Sequence, residues 1–162
     1  MSGRSKLPLV YSCSGASSAA QMANYIAVRL DRLETAEMSC IAGVGGDVKP
    51  LVRTAKSGRA IIALDGCPLH CTAHILKRQG ITADHHYDLS KMGVKKQYHE
   101  DFDPQEAARM LERIQSDLNA AAAPAESGAG VPTANDPTSD AVDGDKLEPA
   151  SPPCLLDEFK EW

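Results

Sequence analysis

The chain has 162 residues, of which 43% are hydrophobic and 24% charged, so it can form one domain with a core but not two full domains. Its formal net charge of −5 comes from acidic residues after position 120, and the near-neutral remainder lacks the basic surface that nucleic-acid binding requires. Neither an apolar leader nor the run of about 18 apolar residues that crosses a membrane is present, which predicts a soluble cytoplasmic protein.

Short apolar segments are predicted to form four strands, at residues 7–11, 36–40, 59–64 and 83–89. The third is a nearly unbroken apolar run, which is typical of a central parallel strand buried on both faces. Because helical segments alternate with these strands, the predicted fold class is α/β. We expect a small three-layer domain with a mostly parallel sheet of about four strands.

Helical patterns follow the strands in chain order. The first helix carries the apolar stripe Met22, Ile26 and Leu30, and the second covers residues 49–56 after a glycine-rich loop at 43–46. The third is predicted to begin at Pro68, a favoured first helical position, and to stop at Gly80. The last begins after a capping Asp103 and has a buried stripe of Ala107, Met110, Leu111, Ile114 and Leu118.

The composition changes near the C-terminus. Residues 120–153 are rich in Ala, Pro, Gly, Ser and Asp, and such a segment predicts a disordered linker because it cannot offset the entropy of folding. Residues 154–162 contain one of the two phenylalanines and the only tryptophan. We therefore expect a domain at residues 1–119, the linker, and an apolar peptide suited to binding a protein partner.

Five cysteines in a chain without an export signal indicate metal binding or thiol chemistry, because cytoplasmic thiols are kept reduced. Cys13, Cys40 and Cys67 each follow a predicted strand, and the carboxyl ends of parallel strands meet at one edge of a sheet. Cys71 lies one turn after Cys67 on the predicted third helix and so faces the same side. These four thiols are candidate ligands of one metal ion, and zinc suits four thiolates.

Histidines beside these cysteines are further candidates. His70 and His74 share the predicted helix face with the cysteines of that helix and are able to replace one of them as a ligand. His85 and His86 point to opposite faces of a strand, so only one can reach the crevice, and we expect His86.

Three charged residues and one helix end complete the site prediction. Asp65 is expected to accept backbone amide hydrogens or to orient a side chain. Lys95 and Lys96 are expected to be solvated surface charges. The helix N-terminus predicted at Cys67 and Pro68 favours the thiolate form of Cys67. We assign no catalytic residue, and the glycine-rich loop lacks the order of a nucleotide-binding motif.

The segment Asp65-Gly66-Cys67-Pro68-Leu69-x-Cys71, preceded by Cys13-Ser14-Gly15 and Cys40, resembles the DGC-domain family, which is named after the central tripeptide. A later segment, residues 86–96, is also similar, and the resemblance covers about residues 7–115. It implies a zinc-binding domain whose ligands map onto Cys13, Cys40, Cys67 and Cys71, whereas Cys154 has no counterpart. It implies no settled reaction.

Two other functions stay open. Cys13 lies where low-molecular-weight phosphatases and arsenate reductases place a nucleophile at a helix N-terminus, which allows a thiol-based redox or oxyanion-handling enzyme. Their arginine six residues later is Ala19 here, which weakens phosphatase chemistry. The same four cysteines also suit an iron–sulfur cluster. Because a closed four-thiolate zinc has no position for water, we favour a structural or metal-sensing and delivery role over an enzyme.

Overall fold

The computed structural model of the chain describes residues 6–122. Residues 120–122, which the sequence analysis assigns to the linker, are the end of the last helix. The rest of the predicted linker, from residue 123 onward, and the C-terminal peptide with Cys154 lie outside the described residues. Strands and helices within them follow one another as β1 Leu9–Ser12, α1 Ser18–Arg32, β2 Glu37–Met38, α2 Ile41–Gly45, α3 Lys49–Ala55, β3 Ile61–Asp65, α4 Cys71–Arg78, β4 His85–Asp88 and α5 Pro104–Ala122.

The four strands form one sheet in the order β2-β1-β3-β4, and every pairing is parallel. Leu9 of β1 lies opposite Glu37 on one side and Ile61 on the other, while Ile62 lies opposite His85. The predicted α/β class with a parallel sheet of four strands is therefore confirmed. Since all four strands run in one direction, their carboxyl ends lie along a single edge.

The two faces of the sheet are covered by different helices because side chains alternate along each strand. Val10, Ile62 and Leu64 belong to a core shared with α1 and α5. Leu9, Tyr11, Ile61 and Ala63 belong to a second core with α2, α3 and α4. The sheet thus lies between two helical layers, as the sequence predicts.

The long helices α1 and α5 follow the predicted patterns. Met22, Ile26 and Leu30 of α1 are almost completely buried, and the Ser17 side chain caps this helix by accepting the Ala20 N–H at 3.4 Å. In α5 the Asp103 side chain accepts the Gln105 N–H at 2.8 Å. The predicted stripe of α5 packs against the same core. No helix in residues 6–122 is both long enough and apolar enough to cross a membrane.

The start of α4 differs from the sequence prediction. The helix begins at Cys71, whereas residues 67–70 form a turn in which the His70 N–H donates to the Cys67 carbonyl at 3.1 Å. Pro68 is the second residue of that turn, a position that suits its fixed φ. Cys67 therefore lies outside the helix, and the prediction that it shares a helical face and a helix N-terminus with Cys71 is wrong.

A second difference is the short helix α2, which replaces the first part of the predicted glycine-rich loop. The Cys40 Sγ accepts the Gly43 N–H at 3.4 Å and caps this helix. Val44 is fully buried in the second core, so tertiary packing supports the helix despite its glycines.

Candidate functional site

The strand order places a topological switch point at the carboxyl ends of β1 and β3. The chain leaves β1 to form β2 on one side and then returns to form β3 on the other. Crevices at such points bind ligands in open α/β sheets. Cys13 lies here: its N–H donates to the Leu64 carbonyl at 2.9 Å, and its Sγ accepts the Gly66 N–H at 3.2 Å.

Gly66 allows the turn after β3 to approach the first turn of α1. A Cβ at this position would lie 2.4 Å from the Ala19 carbonyl oxygen and 2.8 Å from the Ala20 nitrogen. A side chain does not fit there, so glycine is required between Asp65 and Cys67. This close approach is what brings the Cys67 turn next to Cys13.

Three of the predicted ligands act on one another electrostatically. Burial raises the pKa of the Cys13 thiol to about 11, and the nearby negative charges of Asp65, Cys71 and Cys67 act in the same direction. Burial also raises the pKa of Cys71, with Asp65 and Cys67 again contributing. Cys13 is buried, Cys67 is half-buried and Cys71 is exposed. The three thiols therefore line one edge from the interior to the surface.

Cys40 lies on the other side of β1, after β2. Its thiol is exposed and caps α2, and it interacts electrostatically with the buried hydroxyl of Tyr11, whose pKa is raised first by burial. Within residues 6–122, no three Cys, His, Asp or Glu side chains are already arranged to hold a metal ion. The geometry thus relates Cys13, Cys67 and Cys71 to one another more directly than to Cys40.

Two carboxylates support this edge. Asp65 and Asp88 end β3 and β4 and lie opposite each other in the sheet register. Asp65 accepts the N–H groups of Thr72 and Ala73 at 2.8 and 3.2 Å, so it caps α4 from the neighbouring strand. This tertiary cap explains why α4 begins at Cys71 and not at Pro68.

Each of these carboxylates also binds a histidine. The His86 Nε2 lies 2.9 Å from an Asp65 oxygen, and the His70 Nε2 lies 2.7 Å from an Asp88 oxygen. The two imidazole rings meet edge to face with centroids 4.9 Å apart. We call Asp65, His70, His86 and Asp88 the Asp–His frame. It connects β3, β4 and the turn that carries the cysteines.

Comparisons with known proteins identify the family of this chain. The family model of the DGC domain matches residues 9–114, which include the whole sheet and all four candidate cysteines. The chain belongs to the DGC domain family. It is 59% identical over 111 residues to the anaerobic and virulence modulator AnvM of Pseudomonas aeruginosa, an alignment that covers 67% of this chain and 85% of that relative. No solved structure matches the chain.

The DGC domain places the predicted histidines in different surroundings. His86 reaches the carboxyl edge, whereas His85 lines a separate cavity beside Leu118, so the expected choice between the two agrees with the structure. His70 precedes α4 and His74 is exposed on it. The bond between His70 and Asp88 was not predicted, because no sequence pattern relates a turn residue to the end of a strand that follows 18 positions later.

The side chain of Lys96 interacts with more of its neighbours than the sequence predicts. It is half-buried, and a hydrogen bond with Tyr98 holds its pKa above the ordinary value, with the charges of Cys67 and Cys71 acting in the same direction. The adjacent Gln97 is tied to the first residue of α1 through Ser18. Lys96 is therefore less exposed than Lys95 and interacts with neighbouring side chains, which the prediction of a solvated surface charge did not include.

Thiol reactivity offers a test of this electrostatic picture. In metal-free, reduced DGC domain we expect iodoacetamide to modify Cys13 more slowly than exposed Cys40, because the thiolate is the nucleophile and Cys13 has a pKa of about 11. The Cys13 rate should keep rising about tenfold per pH unit from pH 7 to 9. Mass spectrometry of quenched peptides measures both rates, and a plateau for Cys13 below pH 9 would contradict the assignment.

Proposed function

We propose that this chain is a zinc-binding protein whose metal is held by thiolates of Cys13, Cys40, Cys67 and Cys71. The observation that carries the proposal is the grouping of Cys13, Cys67 and Cys71 with Asp65 at the switch point. Burial raises the pKa of Cys13 there to about 11, and its electrostatic interactions with Asp65 and the two other cysteines add to this effect. A divalent cation reverses this effect, since a coordinating thiol is deprotonated and its charge is neutralised.

The donor chemistry supports zinc. Thiolate sulfurs are the ligands that closed structural zinc sites prefer. Two of the four sulfurs already accept backbone hydrogen bonds, Cys13 from the Gly66 N–H and Cys40 from the Gly43 N–H. Such bonds favour the charged form of a thiol and thus its ligating form.

Metal binding requires the ligand side chains to move closer to one another, because the described residues contain no set of three ligands already in place. Cys40 and Cys71 are exposed and have room to change rotamer, while Cys13 is fixed by its burial. We therefore propose a site that is completed when the metal binds around Cys13, which fits a sensing or delivery role at least as well as a permanent structural one.

A nucleophilic role for Cys13 is less well supported. A thiol whose pKa is about 11 is almost entirely protonated at neutral pH and is a poor nucleophile. The side chain is also only 7% exposed. These two observations favour metal binding over a thiol-based redox or oxyanion-handling enzyme.

The relative's name describes it as an anaerobic and virulence modulator. We extend a regulatory role to this chain and propose that occupancy of the thiolate site changes its binding to a protein partner. Residues 154–162 are our candidate for a partner contact. A cytoplasmic location is part of this proposal, because free thiolate ligands require a reducing compartment.

Metal analysis tests the proposal directly. We expect the full-length protein, purified under reducing conditions, to contain about one zinc per chain, because four thiolates complete one tetrahedral site. Cys67→Ala should lose this metal. Cys154→Ala is the matched control and should retain it, since Cys154 is outside the candidate site.

Elemental analysis and a visible absorption spectrum of the same sample separate the outcomes. A coloured, iron-containing protein after anaerobic purification would replace zinc with an iron–sulfur cluster on these cysteines. Wild-type protein that stays empty after incubation with zinc, with all thiols reduced, would overturn metal binding altogether.

A further inference from the structure

We infer that His70 is a positioning residue, because its bond to Asp88 fixes the turn that sets the separation between the Cys67 and Cys71 thiols. The inference deepens the proposed function and rests on it for its biological purpose. Its structural content is independent of any metal: without the imidazole, the two thiols should no longer be held at one separation.

The backbone of His70 is the first reason. Its φ of 47° and ψ of 44° place it in the left-handed region, which residues other than glycine rarely occupy without support. His70 is the residue immediately before α4, between the two cysteines. A relaxation of its backbone would therefore rotate Cys71 relative to Cys67.

The anchor of the imidazole is the second reason. The Asp88 carboxylate that bonds to His70 at 2.7 Å is 6% exposed and ends a strand. Its other oxygen accepts the Ser90 N–H at 3.0 Å and is also bonded to the Ser90 hydroxyl. Although burial opposes ionisation, the bonds from Ser90 and His70 hold the pKa of Asp88 below its ordinary value. The acceptor is thus fixed and charged.

The rest of the Asp–His frame fixes the other end of the turn, where α4 begins. Asp65 holds the amides of Thr72 and Ala73, directly after Cys71, and also binds His86, whose ring meets that of His70. The turn is therefore attached to β3 through Asp65 and to β4 through Asp88. Side chains that orient ligands in this way change metal affinity by about 10- to 100-fold when they are removed.

The experiment replaces His70 by glycine, which retains access to the left-handed conformation but removes the bond to Asp88. We expect zinc affinity, measured by competition with a chromophoric chelator, to fall about tenfold or more. His74→Gln is the matched control, since His74 is an exposed histidine of the adjoining helix, and it should bind zinc like wild type.

A double-mutant cycle identifies the bond. Asp88→Ala should weaken zinc binding, and adding it to His70→Gly should weaken binding little further, because both changes remove the same contact. Fully additive losses would overturn the pairing as the cause. The cobalt(II) spectrum supplies a second readout: loss of a nitrogen ligand in His70→Gly would show direct ligation and overturn the positioning role.

A metal-free measurement separates this inference from the proposed function. Phenylarsine oxide bridges two thiols only at a suitable separation, so we expect bridging of Cys67 and Cys71, mapped by mass spectrometry, to weaken about tenfold in His70→Gly. Suppose that the wild-type protein bound no zinc but that arsenical bridging was weaker in His70→Gly than in wild type. The proposed function would then fail and the inference would stand. Equal bridging in both proteins would overturn the inference.

Discussion

Replacing Gly66 by alanine is expected to cost the domain about 3 kcal/mol of stability, at the upper end of the range for overpacked positions. The added Cβ would meet three backbone atoms of α1, the Ala19 oxygen at 2.4 Å, the Ala19 carbonyl carbon at 2.5 Å and the Ala20 nitrogen at 2.8 Å. Backbone cannot rotate away as a side chain can. Either α1 or the turn after β3 must shift, and both carry the candidate site.

Urea denaturation followed by circular dichroism measures this effect. Gly45→Ala is the matched control, because the atoms nearest to its Cβ would belong to the Ile75 side chain, at 3.4 Å or more, and alanine favours the helical conformation there. We expect a strongly lowered midpoint for the Gly66 variant and a nearly unchanged one for the control. Equal midpoints would show that the close approach to α1 is not required.

Local patterns explain why most of the fold can be predicted from the sequence. The spacing of Met22, Ile26 and Leu30 specifies one buried helix face without any knowledge of what packs against it. The apolar run of β3 similarly requires burial on both faces, and all its residues are buried. These features depend on near neighbours in the chain, which the sequence displays directly.

The elements that differ from prediction are those decided by distant contacts. Pro68 is compatible with a helix start or a turn, and the choice depends on Asp65, whose carboxylate caps α4 at Thr72 and Ala73. The helix α2 contains glycines that disfavour helix locally, and it forms where Val44 packs into the second core. In both cases a tertiary contact outweighs a local preference.

The candidate site likewise contains some features that the sequence predicts and others that depend on distant contacts. Placement of Cys13 and Cys67 at the carboxyl edge follows from strand ends that the sequence reveals. The left-handed His70 and its bond to Asp88 do not, because a turn residue and a strand end become neighbours only when β4 joins the sheet. The set of four metal ligands itself stays a prediction.

We expect Asp65→Ala to lower the stability of the domain by about 3 kcal/mol, the second large loss. The substitution removes an acceptor that three donors share. The carboxylate is 1% exposed. Without it, the buried Thr72 amide and the partly buried Ala73 amide lose their acceptor. The more exposed His86 imidazole also loses its partner. Asp65→Asn should cost less, since its amide oxygen remains an acceptor.

Asp103→Ala provides the comparison, since Asp103 also caps a helix, α5, but lies at an exposed position. We expect that variant to lose at most about 1 kcal/mol. Urea midpoints of the three variants test the order, and an Asp65→Ala loss no larger than that of Asp103→Ala would mean that the buried network adds nothing to an ordinary cap.

The Asp65 carboxylate stabilises α4, but we expect it to disfavour ionisation of the thiols. Burial is the main cause of the raised Cys13 pKa, and the charge of Asp65 adds to it. In folded Asp65→Asn protein, this pKa should fall and iodoacetamide should modify Cys13 faster than in wild type at one pH. Asp65 would then stabilise α4 at the expense of thiolate formation, a conflict that a bound cation removes because it attracts both the carboxylate and the thiolates.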